Sequence, residues 1–584
     1  MTDSAPAAET AATVALPSSP SQLSGATWAE IAPFYESLAT APLAEQNALD
    51  WLTRWTTLEE LVGEAATLAA IAYTCDTNNA EKEAAHLRFA AEIAPRQHEQ
   101  QVRLAQRLLD TGFSRDDLET TLRRFQTDCD IFRVENIPLF TELEELETAY
   151  NRITGGMTVD WNGERLTVPQ LQPFLKVSDR AVRERAFRAI ASPYLAQRVG
   201  LADNFDAALD RRQELARNAG FSNFQDYAFR SKYRFDYTPD DCRRFHDAVE
   251  EAVVPVVQRL HAQRRKQLAV DTLRPWDLSV NVYLDKPLTP FLNTEEFVEA
   301  ARRIFTGVDA ELGEQFGTMA DEGLLDLESR TGKAPGGYCT TLPWRGKPFV
   351  FMNAVGIPDD VNTLVHEAGH CFHDFAMEKL PFIFQRNITM EAAELASMSM
   401  ELLASPFLAR PMGYYSEQDV AHAWLEHLED IPASLCHIAG VDAFQAWIYS
   451  NEDGRDRNAR DEEWLSVRQR FERSVDWTGL RNERVARWYK QSHIFLAPFY
   501  YIEYGIAQLG ALQVWRNSQS DYGDAVQQYK NALSLGGTRP LRDIYAAAGA
   551  KVVFDAETMR ELMEVVEENI ATVRELISAP AEGR

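Results

Sequence analysis

A mainly α-helical fold carrying one small β-sheet is what this sequence predicts, on three observations. Long segments place Ala, Glu, Arg and Leu at helical spacing with few β-branched runs. No fixed-period repeat of the kind that marks a solenoid is present. Strand-like residues interleaved with turn residues are confined to one stretch, Gly336 to Val355. The 584 residues suffice for several average domains or for one large helical unit.

Taken in chain order, Met1 to Gly25 is rich in Ala, Ser, Pro and Thr and poor in bulky apolar residues, which predicts a disordered tail. It lacks the basic start and apolar core of a secretory signal. Helix is predicted from Trp28 onward. The run Asp76-Thr77-Asn78-Asn79 interrupts it, Ala80 to Ala94 resumes it, and Ser178-Asp179 caps a helix over Ala181 to Ile190. Further helices are predicted over Pro239 to Gln267 and Thr294 to Phe316. Gly336-Gly337-Tyr338-Cys339-Thr340-Thr341 then leads through a Pro343/Gly346/Pro348 turn into Phe349-Val350-Phe351-Met352, which reads as two short strands. Gly356-Ile357-Pro358 breaks the chain, and Asp359 or Asp360 caps the next helix. The edge of such a sheet could pair with an extended peptide, or the hairpin could be purely structural.

Composition excludes several function classes. With 88 acidic against 59 basic side chains and a net charge of -29, the chain lacks the basic footprint a nucleic acid requires. An anionic membrane surface is disfavoured for the same reason, and no apolar run approaches the roughly 20 residues of a membrane-spanning helix. The cysteines (Cys75, Cys129, Cys242, Cys339, Cys371, Cys436) stand singly. They form neither a thiolate zinc site nor a disulfide framework, which points to a reducing cytoplasm.

The chemistry is carried by His366-Glu367-Ala368-Gly369-His370. Histidines four apart lie one helical turn apart, so both imidazoles can reach one tetrahedral zinc ion. The Glu between them can take a proton from a metal-activated water. Val361, Leu364, Val365, Ala368, Phe372 and Phe375 form one apolar stripe, with His366, His370 and His373 opposite. His373 cannot join the other two as a ligand: it lies about 10 Å from His366 along the axis, against zinc–nitrogen bonds of about 2.0–2.1 Å. It reads as a residue lining or backing the site. The third ligand is expected to be a downstream carboxylate from among Glu378, Glu391, Glu394 and Glu401. Glu378 is two turns past His370 on the same helix, too far to close the site. Small neighbours (Ala392, Ala393, Ala396, Ser397) favour Glu394 modestly, because they allow its helix to approach closely.

With these residues the chain resembles the thimet oligopeptidase and oligoendopeptidase F family of zinc peptidases, nearer the oligoendopeptidase F branch. The resemblance rests on the His-Glu-x-x-His motif with His373, on Glu394-Leu395-Ala396-Ser397, on Glu401, and on His493 with Pro498-Phe499-Tyr500-Tyr501-Ile502-Glu503-Tyr504. It implies one zinc ion per chain on His366, His370 and Glu394, with Glu401 supporting a zinc-bound histidine. It implies that His493 and one of Tyr500, Tyr501 and Tyr504 face the scissile peptide, the hydroxyl serving the oxyanion. Gly336, Gly337 and Tyr338 resemble the strand that borders the substrate cleft. The fold implied is a helical bowl around a deep channel that admits short unstructured peptides. On this resemblance the chain divides into the tail 1–25, an amino-terminal helical region 26–200, and a catalytic region 201–584, the two helical parts closing one unit.

An endopeptidase is therefore expected. A carboxydipeptidase of the same family is the nearest alternative. An aminopeptidase would need a Gly-x-Met-Glu-Asn-type segment, which is absent. A helical peptide-binding protein without catalysis would have no use for Glu367.

Overall fold

The computed structural model describes residues 14–578 apart from 285–287, 331 and 335. It is 71% helix and 5% strand, in line with the mainly helical expectation. No helix among the described residues is long and apolar enough to cross a membrane. The first half of the expected tail, 1–13, lies outside the described residues. In the second half, Pro20–Leu23 form a short 3-10 turn and Leu23 is buried in the amino-terminal core, because its side chain finds an apolar seat that composition alone does not reveal.

Seven helices organise the site: α1 (Ala48–Cys75), α2 (Pro358–Met377), α3 (Met390–Leu403), α4 (Glu417–Ser450), α5 (Arg457–Phe471), α6 (Ser492–Leu496) and α7 (Tyr501–Ser520). Local signals set several boundaries as read. Asn79 accepts from the amides of Glu81 and Lys82, and Asp179 accepts from those of Ala181 and Val182. Thr294–Val308 and Ala310–Asp321 are two helices, not the single one predicted, because Asp309 is extended and caps the second.

A hairpin outside the predicted strands, β1 (Thr158–Trp161) and β2 (Glu164–Thr167), turns at Asn162-Gly163, a dipeptide favoured in such turns. The predicted two-stranded unit gains a third member. β4 (Tyr338–Leu342) pairs antiparallel with β5 (Lys347–Ala354), and β3 (Leu325–Glu328) joins the other side of β5 in parallel. The order β3-β5-β4 leaves β4 at an edge. Beside it runs the carboxyl end of α1, whose Thr74 hydroxyl meets the Tyr338 hydroxyl at 2.7 Å.

The amino-terminal helices build a core of their own from Ile31, Tyr35, Trp51, Trp55, Leu58 and Phe125 among others. The link between α2 and α3 is seated in that core. Phe382 is buried there, Phe384 packs on Trp55 at 4.4 Å and on Phe125 at 5.0 Å, and Arg386 pairs with Glu60 at 2.9 Å. Gln385 donates to the Asp117 carbonyl at 3.0 Å, and Arg124 donates to that of Asn387.

Candidate active site

Helix α2 starts where Gly356-Ile357-Pro358 turns the chain. Asp360, not Asp359, anchors the turn by accepting from the amides of Val355, Gly356 and Ile357 at 2.8–3.0 Å. The helix then crosses α3 at very short range. A Cβ on Gly369 would stand 2.5 Å from the Ser397 Cα and 2.7 Å from the Ala396 carbonyl oxygen, so only glycine permits this approach. Gly369→Ala is expected to destabilise the fold by about 1–3 kcal/mol, the usual cost of overpacking. That exceeds the ~1 kcal/mol alanine gains over glycine in a helix. Thermal unfolding measures the sign, and an unchanged or higher Tm would contradict the close-approach argument.

This crossing brings three ligand atoms together. Glu394 Oε2 lies 3.3 Å from His366 Nε2 and 3.7 Å from His370 Nε2, and one ligand atom from each residue falls within 4.8 Å of the others. Ligands about 2.0–2.1 Å from a tetrahedral zinc ion stand about 3.3–3.4 Å apart. Two imidazoles and a carboxylate at this spacing fit such an ion. The imidazole planes lie at 85° to each other with centroids 5.0 Å apart.

The ligands are held from behind. Glu401 accepts from His366 Nδ1 at 2.7 Å, which leaves Nε2 as the lone pair turned toward Glu394 Oε2 and able to ligate a metal. His427 stands 3.7 Å from the other Glu401 oxygen. Ser397 donates to Glu394 Oε2 at 2.9 Å and the Tyr500 hydroxyl to Oε1 at 2.9 Å. Burial disfavours the Glu394 carboxylate, but His366, His370 and Tyr500 outweigh it and hold its pKa down to about 2. Burial likewise lowers His370 to about 4. Glu367 is 9% exposed, and burial pushes its carboxyl up to about 7 against the pull of His366 and of the Cys339 amide on β4.

Across the site stands the aromatic cluster. His493 on α6 has its ring 4.9 Å from Tyr501, 5.7 Å from Tyr500 and 6.1 Å from Tyr504. The three tyrosines separate by position: Tyr500 reaches Glu394, Tyr504 packs on Tyr500 at 5.0 Å, and Tyr501 lies between His493 and His437, 5.5 Å from the latter. Tyr500 is aimed by a strained residue. Phe499 has φ 64° and is fully buried, a conformation costing a bulky residue roughly 1–3 kcal/mol. It is held by Gln445, whose Oε1 accepts from its amide at 2.9 Å, and by Arg234, which donates to its carbonyl.

Residues 174–564, more than half the chain, match the family model described as Peptidase family M3. The chain belongs to peptidase family M3. By that membership it is a peptidase, a hydrolase of peptide bonds. Among curated relatives, the oligoendopeptidase F homolog of Borreliella burgdorferi is 24% identical over 418 residues, covering 68% of this chain and 67% of that one. The oligopeptidase PepF of Bacillus subtilis is 26% identical over 265 residues, 43% of this chain and 36% of its own length. Among solved structures, PZ peptidase A superposes with a TM-score of 0.87 at 24% identity, over 94% of this chain and 98% of that one.

Within this family member the structure brings His366, His370 and Glu394 together, with Glu367 beside them, Glu401 behind His366, and Tyr500 on Glu394. His373 takes no part in that set. It is 2% exposed, and neither ring nitrogen has a hydrogen-bond partner among the described residues. Gly336, Gly337 and Tyr338 lie on the edge-strand side, where Tyr338 stacks on Phe351 at 4.9 Å and turns its hydroxyl toward α1. Glu391 and Glu503, in sequence a candidate ligand and a motif letter, belong to a buried network. Arg234 donates to Glu503 at 2.8 Å and lies 3.8 Å from Glu391, and the Tyr237 hydroxyl bonds Glu391. Arg234, Gln445, His427 and His437 carry no local sequence signal, because each acquires its role only through a distant partner. A cavity of about 590 Å³ opens beside Glu401, lined also by Asn362, Trp424, His427, His437 and Arg487.

Proposed function

We propose that this protein is a zinc-dependent endopeptidase acting on short, unstructured oligopeptides. The observation that carries the reading is the convergence of His366 Nε2, His370 Nε2 and Glu394 Oε2 on the helix pair that also positions the buried carboxyl of Glu367. Zinc, when held by these three, acidifies a water and polarises the scissile carbonyl. Glu367 accepts the proton from the attacking water and passes it to the leaving amine. A carboxyl whose burial raises its pKa is suited to both halves of that transfer. His493 and Tyr504, and Tyr500 once its hydroxyl turns from Glu394 Oε1, donate hydrogen bonds to the oxyanion as it develops. As an edge strand, β4 offers main-chain pairing to an extended peptide, and Glu367 sits against that strand at Cys339. The unpaired cysteines suit a reducing cytoplasm.

Metal analysis combined with an internally quenched peptide blocked at both ends tests this reading. Stoichiometric zinc and cleavage of the blocked peptide are expected. Cleavage only of peptides with a free carboxyl end would make it a carboxydipeptidase, and binding without cleavage a non-catalytic peptide receptor. The second relies on the same site but predicts activity that Glu367 substitution leaves unaltered, namely none.

A further inference from the structure

A line of hydrogen bonds runs from the cavity wall to the aromatic cluster. On α5, Arg468 Nη1 lies 3.1 Å from His437 Nδ1 on α4. His437 Nε2 lies 3.1 Å from Gln491 Oε1, and Gln491 Nε2 lies 3.3 Å from His493 Nδ1. None of these three contacts belongs to the metal-ligand set.

The direction of every bond follows from its first member. A guanidinium only donates, so His437 Nδ1 accepts. His437 is buried, and burial with the charges of Arg468 and Arg487 takes its pKa down to about 3, so the ring is neutral and its single proton is on Nε2. That proton goes to Gln491 Oε1, which turns the amide NH2 toward His493. His493 Nδ1 therefore accepts, and a neutral His493 carries its proton on Nε2. Among the described residues no protein group bonds that nitrogen.

Two features show that the first link is built. Gly440 sits one turn beyond His437 on α4, and a Cβ there would stand 2.8 Å from Arg468 Nη1, so the missing side chain makes room for the guanidinium. Arg468 is in turn fixed by Glu472, which Arg487 also binds at 2.6 Å. The Arg468 side chain is 2% exposed and cannot turn away to solvent.

We propose that Arg468, His437 and Gln491 are positioning residues that fix His493 as the Nε2–H tautomer, making it a hydrogen-bond donor to the reacting peptide and not a proton acceptor. This rests on the peptidase reading of His493, although the tautomer itself can be measured without turnover. Gln491→Glu reverses the last link, because a carboxylate still accepts from His437 but can only accept from His493, drawing the proton to Nδ1.

The test joins a spectroscopic and a kinetic readout. In zinc-loaded protein labelled with 15N-histidine, with His493→Gln used for assignment, His493 is expected to show the Nε2–H pattern in the wild type and the Nδ1–H pattern in Gln491→Glu. The same substitution is expected to lower kcat by about 10²-fold, the scale of losing one oxyanion donor, with KM and zinc content little changed. Glutamine at 493 keeps a donor near the Nε2 position but cannot change tautomer, so in the His493→Gln background the Gln491→Glu effect is expected to shrink to within about threefold of unity, a coupling that only interacting residues show. Gly440→Ala, which displaces the Arg468 guanidinium, is expected to lower kcat without altering any side chain of the relay. An Nδ1–H wild-type His493, or an equal kcat loss from Gln491→Glu in both backgrounds, would overturn the proposal. A blocked peptide left uncut by zinc-loaded wild type would instead defeat the endopeptidase reading and leave the tautomer measurement standing.

Discussion

Glu367→Gln is expected to lower kcat by about 10²–10⁴-fold, a barrier increase of about 3–5 kcal/mol at 1.36 kcal/mol per decade, while zinc content stays at the wild-type level. The two halves of the result come from different atoms. The proposed ligand set is His366, His370 and Glu394, the group whose ligand atoms converge, so an amide at 367 removes no member of it. It does remove the carboxylate to which the proposed mechanism gives the proton of the attacking water. The fold should tolerate the change, since the site is buried and already pushes the carboxyl of Glu367 toward its neutral form, with a pKa of about 7. A neutral amide relieves that burial cost, and the unfolding temperature should hold or rise. Steady-state kinetics, metal analysis and a thermal melt on one preparation check all three, and turnover within tenfold of wild type would remove Glu367 from the mechanism.

Glu394→Gln is expected to empty the site of zinc and to reduce turnover by at least about 10³-fold, the scale set by losing electrostatic stabilisation of the transition state. Glu394 is the one anion between two imidazoles, at 3.3 and 3.7 Å, and a neutral amide is a poor substitute ligand. Glutamine can keep its carbonyl oxygen on Tyr500 and turn its NH2 toward Ser397, whose hydroxyl can accept as well as donate, so local packing is retained. The helices should remain docked while the metal leaves. Titrating zinc into the metal-free proteins separates the cases. Wild type should gain about 4 kcal/mol of stability at a thousandfold excess over its Kd, seen as a rise in Tm, and the variant should show little or none. Full zinc stoichiometry in Glu394→Gln would mean that another carboxylate completes the set.

Much of the candidate site is legible in the amino-acid sequence. His366, Glu367 and His370 announce themselves because their chemistry depends on spacing along one helix, which sequence records directly. The small side chains that favour Glu394 in the sequence are the ones that let α3 meet α2 in the fold, and Gly369 is the matching concession on the other helix. Asp360 in place of Asp359 as the anchor is a one-residue matter, decided by which carboxylate faces three amides. The strand β3 leaves no sequence signal because Leu325–Glu328 is short and pairs with a segment some twenty residues on, with no turn to mark it. Arg234, Gln445, His437 and Gln491 are invisible in sequence for a deeper reason. A buried polar residue far from its partner along the chain looks like any other polar residue until the chain closes around it.

The match to the family model begins at residue 174, yet Trp55, Glu60, Asp117, Arg124 and Phe125 all precede it and all grip the bridge between α2 and α3. The spacing of α2 and α3 is thus underwritten by a portion of the chain that lies outside the stretch matched by the family model. In this molecule the segment that carries the catalytic motif and the segment that fixes its spacing are different stretches of chain, and the earlier one serves as the footing on which the later one stands.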